Sequence, residues 1–324
     1  MKTLLLLVWV MALAGCASAP SSQPIFDAHI TQFKIAQPHI EHSIERRDGH
    51  RIRAREFSVA KKGLAPTLVM MHGFPDNQHL HDLLIPELSQ NYHLVSFDFL
   101  GWGASEKLPS HVYNVASQRE DLQAVITQIG LNQVVLVLHD LSGQAGIDWA
   151  LDNESQTAAL VLLNTYYSPM ASLVAPEAIQ FYATPSWLRD IAVWGATKSG
   201  GNFQNGVGGQ LARFFSNTKV RDAFTPIITN ASVTIRPAFF SSTSVLWQEL
   251  EARRAVVPRV QQFKKPVHII FGADDPYLNP GVARDFKQLF SNSSLDLVTQ
   301  AGHYVQLDRS EEVGRLVRER LSQP

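Results

Sequence analysis

The chain has 324 residues, 45% of them hydrophobic and 18% charged, with a formal net charge of −1. That is enough apolar material for one large core, with or without an inserted domain, and it excludes both a disordered chain and the basic footprint of a nucleic-acid or polyanion binder. A single cysteine rules out an intrachain disulfide, and none of the twelve histidines falls in an HxxxH or HExxH spacing, so neither a metal nor another cofactor is expected.

In chain order, Lys2 precedes an apolar run over 4–13 that is too short to span a bilayer as a mature helix. Residues 1–15 are therefore expected to be a processing signal. The run ends in Leu13-Ala14-Gly15-Cys16, which resembles a bacterial lipobox. The resemblance implies cleavage before Cys16 and lipidation of its thiol. With Ala17 next in place of Asp, it also implies retention at the outer membrane, facing the periplasm. Residues 16–39 then form a tether and N-terminal segment, with SAPSSQP over 18–24 too polar to pack.

From about Ile40 strands and helices alternate. Residues 50–59 alternate apolar and polar after an Asp48-Gly49 turn, as in an antiparallel strand. TLVMM (67–71), HLVSF (93–97), VVLVL (134–138) and the apolar run 159–163 read as buried strands. Residues 80–88 have a helical pattern with Pro86 near its end or marking a break. Residues 117–129, closed by Gly130, and 143–151 are also helical. Between 168 and 258 no buried-strand run occurs. Aromatic-rich amphipathic pieces replace it, interrupted by a glycine-rich stretch, 199–210, expected to be a mobile loop. Strands resume at 267–271 and 295–299, and a helix over 311–321 closes the chain. The expectation is an α/β fold: a mainly parallel sheet with helices on both faces, its core at 40–167 and 259–324, and a helical cap at 168–258.

The strand 134–138 runs into His139-Asp140-Leu141-Ser142-Gly143. A catalytic residue at a tight strand-to-helix turn is raised above the sheet, and its neighbours must be small because helix and strand approach closely. With Asp140 at the apex, Ser142 satisfies that need and Leu138 departs from it, while Gly143 and Gly146 let the helix pack near the sheet. A carboxylate at such an apex can attack an sp³ carbon in line and leave an alkyl-enzyme ester, which a histidine-activated water then hydrolyses.

These residues, with His72-Gly73-Phe74-Pro75, the turn DFLGWGAS over 98–105, Gly272-Ala273-Asp274-Asp275-Pro276 and Gly302-His303-Tyr304, occur in one order, each at a strand end. In that set the chain resembles the haloalkane dehalogenase and epoxide hydrolase branch of the α/β-hydrolases over nearly all of its length after Ile40. The resemblance implies Asp140 as nucleophile, His303 as the base that activates water, and Asp275 as the acid orienting it, with Asp274 as runner-up. Some dehalogenases carry that acid where this chain has Asn164, which cannot serve as an anion. The backbone N–H groups of Phe74 and Leu141 would form the oxyanion hole, and DFLGWGAS would be a structural turn capped by Asp98.

The departures concern the leaving group. Leu141 stands where many relatives place a halide-gripping Trp, and Phe74 where many dehalogenases place Asn. Phe74-Pro75 resembles epoxide hydrolases, which protonate the leaving oxygen with paired lid tyrosines; here Tyr182 lies in the insertion and Tyr166 and Tyr167 at its hinge. Trp187, Trp194 or Trp247 could supply a donor from the cap. The expected partners are a small apolar substrate, water and, through the anchor, a membrane. Two other readings stay open: a carboxylic-ester hydrolase using Ser142, and a ligand-binding lipoprotein of the same fold without catalysis.

Overall fold

A computed structural model describes residues 37–322, so the expected signal, Cys16 and most of the tether lie outside the described residues. The strands β1 (His39–Glu45), β2 (Arg51–Phe57), β3 (Thr67–Met71), β4 (Leu94–Asp98), β5 (Val134–Asp140), β6 (Thr157–Thr165), β7 (Val267–Gly272) and β8 (Ser293–Val298) form one sheet in the order β1-β2-β4-β3-β5-β6-β7-β8. The first three neighbours pair antiparallel and the remainder parallel. β5 shows why its sequence is unbroken apolar. Val134, Leu136 and Leu138 face one buried cluster and Val135 and Val137 the other, so both pleat faces are covered.

On these faces lie α1 (Ile85–Ser89), α2 (Val115–Ile129), α3 (Ser142–Asp152), α10 (Pro280–Leu289) and α12 (Ser310–Leu321), with the short α11 (Val305–Asp308) before the last. Asn114 caps α2 by accepting from Ser117 N, and Gly130 ends it at φ +74°. The helix expected over 80–88 is split into a 3₁₀ turn, Gln78–His81, and α1. Pro86 sits in the first turn of α1, where its missing N–H costs no bond, so it starts a helix instead of ending one.

Between β6 and β7 the chain forms α4 (Glu177–Ala183), α5 (Trp187–Lys198), α6 (Gly200–Leu211), α7 (Thr218–Ser232), α8 (Arg236–Ala252) and α9 (Val257–Gln261). The glycine-rich stretch corrects the expectation of a loop, because α6 occupies nearly all of it. Phe203 and Leu211 are buried two turns apart, with Val207 between them packed against the core. Burying such a side chain contributes about 1.5–3 kcal/mol, which offsets a cost of about 1 kcal/mol per helical glycine. The glycines also allow close packing: a Cβ on Gly208 would lie 3.1 Å from the Thr229 hydroxyl of α7. Beyond α6 the insertion is laced to the end of the core. Phe214 O accepts from His303 N (2.8 Å), and the Asp308 carboxylate accepts from Gly302 N, Ser216 N and Asn217 N.

Candidate active site

β3 lies between β4 and β5, so the chain leaves β3 toward one edge of the sheet and later returns to build β5 on its other side. A crevice opens at such a reversal, beyond the carboxyl ends of the strands. The segment after β3 supplies Gly73-Phe74, and the end of β5 supplies Asp140.

Asp140 has φ +50°, a left-handed conformation that costs a non-glycine residue about 1–3 kcal/mol and persists only where neighbours fix it. They do so here: Thr165 Oγ1 donates to Asp140 O at 2.6 Å. The close approaches fall on glycines. A Cβ on Gly73 would lie 2.5 Å from Asp140 Cβ, and one on Gly146 would lie 2.3 Å from Leu138 Cδ2. The latter accounts for Leu138 at a position expected to be small: the gap has moved onto the helix, and Leu138 fills it.

The Asp140 carboxylate accepts from Phe74 N at Oδ1 (3.0 Å) and from the Leu141 backbone N–H. Its Oδ2 lies 3.7 Å from His303 Nε2. On the far side of the ring, His303 Nδ1 is 2.8 Å from Asp275 Oδ2. Asp275 is fully engaged: Tyr277 N (2.9 Å) and Leu278 N (3.1 Å) donate to Oδ1, and Asn164 Nδ2 donates to Oδ2 (3.0 Å). Asn164 is thus a positioning residue beside the acid, and its own Oδ1 accepts from Gly272 N at 2.7 Å. Asp274 is exposed and accepts from Ser216 Oγ, so it does not meet His303. Ser142 is buried with Oγ 2.7 Å from His139 O and 3.2 Å from Met71 O, and it accepts from His139 N. Its hydroxyl ties the turn together and does not face His303, which removes the basis for Ser142 as a nucleophile.

The charges are coupled. Burial disfavours a charged His303, but Asp275, Asp140 and Asp76 outweigh it, and the ring is pushed up to about 9. Burial pushes Asp140 above the usual carboxylate range, against the pull of His303 and the two backbone donors. Burial also opposes charge on Asp275, yet His303, Tyr277 N and Asn164 hold it below that range. His139, its ring centroid 4.7 Å from that of His303 and tilted by 56°, is driven well below its ordinary value by burial and by the His303 charge, which keeps it neutral.

Sequence reasoning missed Asp76. It is buried, accepts from Tyr304 Oη at 2.8 Å, and is pushed up to about 7 by burial and by Asp140. Its only sequence signal is an acid next to the His-Gly-Phe-Pro turn, matched by a tyrosine directly after His303. The turn after β4 behaves as expected: Asp98 accepts from Gln78 N and Ala104 N, and Gly101 and Gly103 adopt positive φ.

Above the triad is a cavity of about 1450 Å³ between sheet end and insertion, overwhelmingly apolar, with Asp140 and His303 in its floor. Tyr166 and Tyr182 line it, and among the described residues neither hydroxyl has a hydrogen-bond partner. Burial and then the Asp140 charge push Tyr166 well above its ordinary value. Tyr167 instead donates to Asp148, which is paired with Arg253. Trp247 lines the cavity half-buried; Trp187 and Trp194 line it while 70% and 66% exposed, which puts them at its rim.

A family profile described as the alpha/beta hydrolase fold matches residues 66–310. The chain belongs to the α/β hydrolase fold family. This hydrolase is 25% identical over 261 residues to a cis-3-alkyl-4-alkyloxetan-2-one decarboxylase of Xanthomonas campestris, covering 75% of this chain and 84% of the relative. It is 22% identical over 274 residues to epoxide hydrolase 3 of Xenopus tropicalis, covering 80% and 72%. A solved haloalkane dehalogenase variant from Bradyrhizobium elkanii superposes with a TM-score of 0.66 at 18% identity, over 88% of this chain and 96% of that one, a likeness of fold.

Proposed function

We propose that this hydrolase opens a C–O bond of a strained, apolar oxygen electrophile of the epoxide type through a covalent ester on Asp140. The observation that carries the reading is the division of labour at the carboxylate. Phe74 N holds Oδ1, Oδ2 lies 3.7 Å from His303 Nε2, and Asp140 lines the cavity. Oδ2 attacks the carbon, a new C–O bond forms, and the ring C–O bond breaks toward the leaving oxygen. Tyr166, kept protonated by its surroundings, stands beside Asp140 to hydrogen-bond and protonate that oxygen, and Tyr182 lines the same cavity. No side chain at Leu141 or Phe74 offers a halide a donor, which favours an oxygen leaving group over a halide.

Esterification removes the Asp140 charge, one of those that hold the His303 proton. The ring then gives up its proton, which returns to the Tyr166 phenolate, and the neutral imidazole can take one from water. The water oxygen adds to the ester carbonyl, and the developing oxyanion stays on Phe74 N, which already holds Oδ1, with Leu141 N beside it as the second donor to the carboxylate. Collapse breaks the Cγ–Oδ2 bond, the proton of the added hydroxyl passes to the departing oxygen, and the diol leaves a carboxylate beside a His303 that keeps the proton taken from water, as at the start. The leading sequence, by its lipobox, supports a lipid-anchored protein of the cell envelope.

A single turnover in ¹⁸O-labelled water tests the chemistry. Label should enter the Asp140 carboxylate, found by mass spectrometry of the peptide. Diol formation without label in Asp140 would overturn the ester route. In a panel of epoxides, bromoalkanes and short esters, bromide release without diol would overturn the oxygen leaving group.

A further inference from the structure

We infer that α5 is a membrane-docking helix that seats the mouth of the cavity on a lipid surface, so that the site takes its apolar substrate from the bilayer. Six of the eleven large hydrophobic side chains exposed among the described residues are gathered here: Val174, Phe181, Trp187, Leu188, Ile191 and Trp194. The other five are scattered singly, as on any soluble surface. Along α5, Trp187, Leu188, Ile191 and Trp194 stand at i, i+1, i+4 and i+7, within one arc of a 3.6-residue helix. Its other side is held inward: Ala196 is buried, Val193 packs on the core, and Arg189 Nε donates to Tyr182 O.

Such an outward stripe with tryptophans at both ends suits the headgroup boundary of a bilayer, where an indole has an apolar body to bury and an N–H to leave wet. Two facts select lipid over another occupant. The first is continuity. The same six side chains line the mouth of the cavity over Asp140, so a covering protein would seal the substrate path, whereas a fluid lipid surface would feed it. The second is the chain outside the described residues, where an apolar run over 4–13 is followed by Cys16. From a lipid on Cys16, residues 17–36 reach at most about 70 Å. A domain of this size has a radius of gyration of about 19 Å, so α5 can meet the same bilayer from any anchor point. This second argument rests on the anchor reading; the first does not.

The test uses full-length protein on phosphatidylethanolamine/phosphatidylglycerol vesicles, with and without brominated acyl chains that quench tryptophan on contact. Trp102 and Trp149 are buried and should be silent, Trp247 is half-buried in the cavity wall, and Trp9 is replaced by Phe in every sample so that the N-terminal run gives no signal. The parent should show quenching and a blue shift that Trp187→Gln/Trp194→Gln loses. A separate variant, Ile191→Ser, should weaken the quenching with both indoles in place. Far-ultraviolet dichroism confirms that both fold, as expected for changes at exposed positions. Equal quenching in parent and double variant, or none in the parent, overturns the inference. So does sedimentation showing a dimer that Ile191→Ser dissolves, since a second copy would then cover the stripe. Intact mass on the same sample reports cleavage and lipidation at Cys16. Lipid present without quenching sinks the docking alone, and quenching without lipid sinks the anchor alone.

Discussion

The two walls of the cavity are built on opposite terms. On the sheet side every working group is held: Asp140 by two backbone N–H donors, Asp275 by two backbone donors and Asn164, and His303 between the two carboxylates. On the insertion side the wall is almost wholly apolar, with Tyr182, and Tyr166 at the hinge, offering hydroxyls that no described residue engages. The first wall is preorganised for developing charge, where fixed dipoles stabilise a transition state without reorganising. The second leaves its polar atoms for the ligand. On the proposed chemistry, ester formation and hydrolysis would draw on groups already held in place, while the choice of leaving group would rest on two side chains.

The sharpest way to break that contrast is at Asp140. Asp140→Asn keeps shape and donors but removes the attacking anion, and turnover should fall about 10⁴-fold in a steady-state assay with unchanged thermal unfolding. An activity that survives this change would mean the floor is not the reacting wall. His303→Gln should separate the two steps. The ester forms but its hydrolysis loses its base, so electrospray mass spectrometry should find one substrate equivalent retained on the protein, with steady-state turnover down about 10³-fold. Absence of the adduct together with full loss of turnover would place His303 in the first step.

The sheet-side wall was legible in the sequence and the other wall only in part, for a physical reason. Strand ends that place side chains over a sheet need particular residue types, so Gly73, Asp140, Asp275 and His303 announce themselves locally. For the acid, the spacing of the family it resembles favours Asp275 with Asp274 as runner-up, and the fold supplies the physical reason, turning Asp274 outward to Ser216 and Asp275 inward to His303. Tyr166 and Tyr167 are adjacent, and the side each faces at the end of β6 decides which is structural. Asp76 and Tyr304 are 228 residues apart, so their contact has no local signature. The α6 glycines mislead because propensity is local, whereas the burial of Phe203 and Leu211 is tertiary.

The insertion-side wall is probed by Tyr166→Phe. If its hydroxyl protonates the leaving oxygen, epoxide opening should slow about 10²-fold in pre-steady-state adduct formation, while the hydrolysis of an adduct already formed is unchanged. A bromoalkane, which needs no proton, should be unaffected. Equal slowing of both substrates would show that Tyr166 shapes the wall without serving the oxygen. Tyr182→Phe should act in the same direction and more weakly, because no Asp140 influence on Tyr182 accompanies its burial.

The smallest effect is on stability, and its sign follows from His303. In the folded chain the ring holds its proton up to about 9, against an unfolded value near 6.5. A group raised on folding contributes stability that is complete below the unfolded value and is lost as pH rises through the folded one. The parent should therefore lose on the order of 1–3 kcal/mol between about pH 6.5 and 9, seen as a fall of a few degrees in Tm. Asp76, raised to about 7, contributes a loss of the same sign at lower pH, between about 4 and 7. The two are separated by comparing the parent with His303→Gln, in which the fall between pH 7 and 9 should flatten. A parent whose Tm is level across that interval would mean that His303 is not held charged between its carboxylates, and the sheet-side wall would lose the electrostatic coupling that sets it apart from the apolar one.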